Sequence, residues 1–240
     1  MRLDNPLLVR WEYASEERLN KRNAIFRALV QGESPEDAAV AAVESAHATR
    51  LLDAGCGPGE LTERFVRDLG LEVHAIDISP RMVELTRNRG IDAQVADIES
   101  IPFGDSEFDC VFAGWVLYHA PDLGLAIDEC ARVLRPGGRL VATTIGEDSL
   151  SEVWELFEDG ERRAPVSLNR TNGAELLRRR FAQVEQRDVD STLVFPDVES
   201  IRTFIASTID RAHLAPALPR VEVPFHATAR HTVFVAEKAG

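Results

Sequence analysis

Residues 49 to 59, Thr-Arg-Leu-Leu-Asp-Ala-Gly-Cys-Gly-Pro-Gly, set an apolar strand directly ahead of a loop with glycine at Gly55, Gly57 and Gly59. Glycines at alternate positions admit dihedrals that a side chain forbids and leave room for a ligand against the main chain. From Glu60 to Leu69 the chain carries Leu61, Phe65, Val66 and Leu69 on one helical face, then stops at Gly70. Strand, glycine loop and helix in that order is how open α/β sheets build a nucleotide site. A tight strand-to-helix turn without a ligand is the plainer alternative.

The spacing narrows the ligand. A dinucleotide fingerprint needs its third glycine at position 60, which is Glu60, and no Lys followed by Ser or Thr is present to form a P-loop. Instead Asp53 lies two residues ahead of Gly55, giving Asp-x-Gly-x-Gly-x-Gly. Two further acids follow at strand ends. Asp77 closes a strand from Glu72 and lies 18 residues beyond Gly59, near the offset of about 20 at which an acid meets ribose hydroxyls. Its other reading is a residue ahead of a helix opened by Ser79 and Pro80. Asp97 ends the strand Ile91 to Ala96, after a helix from Ser79 to Arg89.

Phe108 to Ala113 reads as a fourth strand, near which the sheet order should reverse, and Gly114-Trp115-Val116-Leu117-Tyr118-His119 emerges from it into the crevice where open sheets bind ligands. Asp122 caps the next helix, and Leu134-Arg135-Pro136-Gly137-Gly138 turns into a fifth strand, Arg139 to Thr144.

The glycine loop resembles motif I of the class I S-adenosylmethionine-dependent methyltransferases. The Phe-Asp-x-Val strand with its following His and the Leu-Arg-Pro-Gly-Gly turn extend the resemblance over residues 51 to 144, in a form similar to the small-molecule, ubiquinone/menaquinone-methyltransferase-like domains. The resemblance implies S-adenosyl-L-methionine as cofactor. It assigns cofactor contacts to Asp53, Gly55, Cys56, Gly57, Gly59, Asp77, Ile78, Ala113 and Gly114, and adenine reading to Asp97 and Ile98. It implies an α/β, Rossmann-like, doubly wound and mostly parallel sheet of seven strands, order 3-2-1-4-5-7-6 with strand 7 antiparallel and helices on both faces. One domain over 1–240 would comprise an N-terminal helical lid (1–46), a cofactor core (47–145), a helical insertion or substrate cap (146–180) and C-terminal strands with a helix (181–240).

Outside the core, residues 14 to 31 read as an amphipathic helix, and a second helix opens at Ser34 with Pro35 at its first position and Asp37 placed for a capping box. Lid residues in this family touch the methionine end of the cofactor, which singles out Tyr13 and Arg22, with surface packing as the alternative. Further expectations are a helix from Glu147 to Asp159, a loop from Pro165 to Asn172, a helix from Gly173 to Arg180, a strand beginning at Val184, a helix capped by Asp197 and a last strand from His231 to Glu237.

Methyl transfer is a displacement that depends mainly on holding the acceptor close and in line. A hydroxyl or ammonium acceptor must also lose a proton, and His119 is the best-placed histidine to take it. A packing role at the start of a helix is its alternative. Trp115 and Tyr118 offer aromatic surface to a substrate or to the core. His74, His213, His226 and His231 are treated as structural.

Composition restricts partners. The net charge of −13 opposes a nucleic-acid role, and no apolar run approaches the roughly 18 residues of a membrane span. Cys56, Cys110 and Cys130 lack zinc or disulfide spacing, so no metal is expected. The expectation is a cytoplasmic enzyme, monomer or homodimer, that methylates an O, N or C nucleophile of a small metabolite. The competing readings are a protein that binds the cofactor without transferring it and a nicotinamide oxidoreductase.

Overall fold

A computed structural model describes residues 3–157 and 166–240. Eight strands form one sheet: β1 (Val30–Gln31), β2 (Arg50–Ala54), β3 (Glu72–Asp77), β4 (Asp92–Val95), β5 (Phe108–Gly114), β6 (Leu134–Ile145), β7 (Gln183–Phe195) and β8 (Phe225–Glu237). Their spatial order is β1-β7-β8-β6-β5-β2-β3-β4. Pairing from β4 through β6 is parallel, whereas β8 runs antiparallel to both β6 and β7. This is the expected 3-2-1-4-5-7-6 arrangement with one strand added at its edge. That strand, Val30–Gln31, corrects the expected seven to eight: the end of the anticipated first helix leaves helical geometry and pairs with Thr192 and Leu193.

Alternation along β5 explains the two layers. Phe108, Val111 and Ala113 enter one core with Leu52, Ile127 and Leu140, while Cys110 and Phe112 enter another with Leu51, Phe65 and Val141. A strand apolar on both faces can only sit centrally, covered by helices. Those helices are α4 (Glu60–Leu69), α5 (Pro80–Asn88), α6 (Leu123–Val133) and also α3 (Pro35–Ser45). α3 packs Ala38, Ala39 and Val43 into the second core, so most of it belongs to the sheet layers and not to a lid. Ser34, Ser79, Asp122 and Asp197 cap their helices as the sequence suggests. Asp37 instead pairs with Arg64 at 2.8 Å.

Several boundaries differ from expectation. The helix expected over 14 to 31 is α2 (Glu17–Leu29), and an unanticipated α1 (Pro6–Glu12) precedes it, because Pro6 with the Asn5 cap starts a helix that the apolar pattern does not mark. The stretch read as a turn before Arg139 is already β-paired at Leu134 and bulges before Cys110–Arg139. The helix expected over 147–159 reduces to α7 (Ser151–Trp154), with Glu158 and Asp159, like Pro165 of the expected loop, outside the described residues. α8 (Gly173–Leu177) is shorter than anticipated, and α9 (Val198–Ala206) completes the helices. Among the described residues no helix is long and apolar enough to cross a membrane.

The Phe-Asp signature of β5 has a mechanical cause. Asp109 accepts hydrogen bonds from the Thr49 amide at 3.1 Å, the Thr49 hydroxyl at 2.7 Å and the Arg50 amide at 2.9 Å, fastening the entry of β2 to its neighbour. Burial pushes this carboxyl up, but these donors and Arg135 outweigh it and hold it at about 2. The stabilisation is therefore full above the ordinary Asp range and lost as pH falls toward 2. Asp109→Ala is expected to lower stability at neutral pH by about 1–3 kcal/mol and to flatten the acid limb of the unfolding midpoint. Thermal melts from pH 2 to 7 measure both.

Candidate functional site

At the carboxyl end of β2 the chain reverses into the glycine loop, and the end of β3 grips it. The amides of Gly55 and Cys56 both donate to the Ile76 carbonyl, at 2.7 and 3.0 Å. Asp77 accepts from the Gly57 amide at 2.9 Å through one oxygen and from the Ser79 amide at 2.8 Å through the other. Both glycines that follow have positive φ, for different reasons. A Cβ on Gly59 would come within 2.7 Å of the Thr86 hydroxyl and 3.1 Å of its Cα, so this glycine lets α5 press on the loop. A Cβ on Gly57 would meet only Leu19, at 3.9 Å, and so would project into open space below α2.

That space belongs to a cavity of about 560 Å³. Asp53, Gly55, Cys56, Gly57, Asp77, Ile78, Asp97, Ile98, Gly114, Trp115, Tyr118, His119, Tyr13 and Arg22 all lie on its wall. Two expected contacts do not. Gly59 faces the Thr86 packing described above, and Ala113 points into the core, fully buried, while its neighbours Phe112 and Gly114 reach the cavity.

The acids differ in state. Asp53 is 1% exposed. Burial drives its carboxyl up to about 7, opposed by the Thr62 hydroxyl, which donates at 2.6 Å, and assisted by the charge of Asp77. Burial also raises Asp77, while the amides of Ser79 and Gly57 oppose it. Asp97 accepts from the Glu99 amide at 2.9 Å, which turns the chain so that Ile98 flanks the same wall. With its carboxyl raised well above the ordinary Asp range, Asp53 is poised to take a full negative charge once a cation comes near. Two carboxyls near the loop, a third beside an apolar wall and an open approach to the Gly57 backbone fit an adenosyl group bearing an amino-acid tail.

The roof is held by apolar packing of Ile25, Phe26 and Leu29 on the core beside α9 and by polar contacts. No residue of α2 is fully buried. Arg27 reaches Glu36 at 2.9 Å and Glu60 at 2.6 Å, Arg81 reaches Glu16 at 2.7 Å, and the Ser79 hydroxyl donates to the Tyr13 carbonyl at 2.6 Å. Arg22 donates from Nη1 to buried Glu12 at 3.1 Å and to the Ser207 carbonyl at 2.9 Å.

His119 is buried, and its ring is engaged on both sides. Nδ1 donates to the Leu3 carbonyl at 2.8 Å, which leaves Nε2 to accept from the Tyr13 hydroxyl at 3.0 Å. Burial keeps the Tyr13 phenol well above its ordinary range. Sequence reasoning missed His231, which also lines the cavity. The signal was available as a period-two row on β8, Ala227, Ala229, His231 and Val233, in which one imidazole replaces an apolar residue.

Sheet order, glycine loop and strand-end acids together have the arrangement expected of a class I S-adenosylmethionine-dependent methyltransferase core. Residues 52–142 match the methyltransferase domain family, and over this core the chain is similar to the S-adenosylmethionine-dependent methyltransferases. The chain is 43% identical over 128 residues to a malonyl-[acyl-carrier protein] O-methyltransferase of Enterobacter lignolyticus, covering 51% of each protein. It is 39% identical over 103 residues to a ubiquinone biosynthesis O-methyltransferase of Xanthomonas oryzae, covering 40% of this chain and 43% of that protein. The chain thus spans about half the length of the curated relatives it matches. The crystal structure of the YcgJ protein of Bacillus subtilis shares the fold, with a TM-score of 0.61, 17% identity, and coverage of 85% of this chain and 99% of that one.

The two glycines should separate binding from folding. Gly57→Val is expected to leave a cooperative unfolding transition and to weaken S-adenosylhomocysteine by at least about 100-fold, the equivalent of about 2.8 kcal/mol. Gly59→Ala is expected to lower the unfolding midpoint clearly. Equilibrium dialysis alongside thermal denaturation reads both.

Proposed function

We propose that the chain is an O-methyltransferase that moves the methyl of S-adenosylmethionine to a carboxylate oxygen of a small or carrier-linked acyl compound. The observation that carries the proposal is the state of His119: with Nδ1 on Leu3 and Nε2 covered by the Tyr13 hydroxyl, neither nitrogen faces an acceptor to take its proton directly. A carboxylate has no proton to lose at neutral pH. The name of the Enterobacter relative, a malonyl-carrier O-methyltransferase, supports the same class of acceptor.

Bound S-adenosylmethionine supplies an electrophilic methyl beside a sulfonium charge. Within the proposal Asp77 and the Gly57 backbone hold the ribose, Asp97 and Ile98 the adenine, and Asp53 the tail, with Tyr13 and Arg22 closing the methionine end from above. Trp115 and Tyr118 border the acceptor. The protein's task is then positioning and exclusion of water, which suffices for a transfer between a charged donor and an anionic acceptor. A cytoplasmic location is part of the proposal, supported by three buried free thiols suited to a reducing compartment.

The Xanthomonas relative, named for ubiquinone biosynthesis, favours a second reading, with a phenolic acceptor whose proton passes through Tyr13 to His119. Donor labelled on the methyl, offered with a malonyl thioester or a catechol, separates the readings, because a methyl ester is cleaved by mild alkali and an aryl ether is not. We expect alkali-labile label from the thioester; alkali-stable label from the catechol alone would favour the second reading, and no label from either would count against both. His119→Asn is expected to slow ester formation by less than about tenfold, whereas loss of a general base costs on the order of 10²–10⁴.

A further outcome concerns protons. A cationic ligand tail beside Asp53 favours its ionised form and lowers a pKa that stands at about 7 in the free protein. Binding of S-adenosylmethionine at pH 6–7 should therefore release up to one proton. Binding heats in buffers of different ionisation enthalpy measure the release, which Asp53→Asn should abolish while binding persists.

A further inference from the structure

Beyond Trp115 the cavity continues toward α9 and β8, where it is lined by Phe26, Ile145, Trp154, Phe204 and Ile209. Among the described residues, three polar side chains reach this apolar end, and two are committed. The Ser149 hydroxyl accepts from the Arg230 amide at 2.9 Å, and the Thr208 hydroxyl donates to the Ile205 carbonyl at 2.7 Å. The third is His231, 8% exposed. Its ring stands edge-on to Phe26 and Trp115, with centroids 5.6 and 6.0 Å away.

Nδ1 of His231 is enclosed and has no hydrogen-bond partner among the described residues. A buried orphan N–H is rarer than an under-satisfied acceptor, so Nδ1 carries the lone pair and Nε2 carries the proton on the side left for the cavity. Burial, reinforced by the charge of Arg170 and opposed by Asp190, pushes the imidazole down to about 4, so it is neutral at physiological pH. Trp115 faces it at a positive φ of 52°, held by the Thr143 hydroxyl, which accepts from its amide at 2.9 Å. Non-glycine residues held in that region cost energy and cluster at ligand sites.

Resting on the methyltransferase reading, we infer that His231 is the specificity-determining residue of the acceptor subsite, where its Nε2–H donates to an oxygen on an otherwise apolar acyl or aromatic acceptor lying against Trp115. A neutral donor among rings selects a molecule with one such oxygen and an apolar body. An acceptor without that oxygen would shut the Nε2–H away from water with no partner, which is the basis of discrimination.

The test uses the full chain saturated with S-adenosylhomocysteine, and two probes: the N-acetylcysteamine thioester of malonate for the acyl source and catechol for the aromatic one. His231→Phe keeps the ring and removes the donor, whereas His231→Gln restores an N–H. We expect at least one probe to bind the wild-type complex, to bind His231→Phe roughly tenfold more weakly and to recover in His231→Gln. S-adenosylhomocysteine affinity and the unfolding midpoint should stay as in wild type. Equal probe binding by His231→Phe, failure of His231→Gln to restore it, or binding of neither probe to the wild-type complex overturns the inference. Loss of S-adenosylhomocysteine binding by the wild type is a separate result that removes the underlying reading instead.

Discussion

The site depends on the clamp between Asp77 and the glycine loop. One carboxylate receives the Gly57 amide at 2.9 Å and the Ser79 amide at 2.8 Å, tying the end of β3 to the loop after β2 and to the start of α5. Two amides from the loop close the same junction on the Ile76 carbonyl. Because β2 and β3 pair in parallel from Arg50–Glu72 to Ala54–Ile76, the clamp sits where the register delivers both chain ends together. A shift of one residue would turn every side chain on β3 to the opposite face.

From that junction the cavity acquires two ends of different character. Near the loop the wall is acidic and backbone-rich, suited to a polar ligand with a cationic part. Toward β8 it is aromatic, with His231 as its uncommitted polar group. The histidine that the chain order recommends, His119, serves the roof: it joins Leu3 to Tyr13 and so connects the segment ahead of α1 to the mouth of β5. Cover and cofactor end are thus coupled, since Tyr13 also receives Ser79 through its carbonyl, next to Asp77.

The core was legible in the sequence because its signals are local. Caps at Ser34, Ser79, Asp122 and Asp197, glycines at helix ends and acids at strand ends each follow from chemistry within a few residues. The edge strand Val30–Gln31 was not legible, since two residues carry no periodicity and their pairing with β7 spans more than 160 positions. Gly59 and Ala113 lie off the cavity wall for a related reason: a motif names a stretch, whereas the alternation of β5 and the contact with Thr86 decide which of its members face the cavity. His231 was missed because its neighbours across the cavity, Phe26 and Trp115, come from distant parts of the chain.

The most direct measurement is calorimetric titration of the folded chain with S-adenosylhomocysteine, with NAD as the control. One equivalent of saturable heat from the first and none from the second is the result this account requires. Silence from S-adenosylhomocysteine in protein that still unfolds cooperatively would contradict the assignment of the loop and its acids.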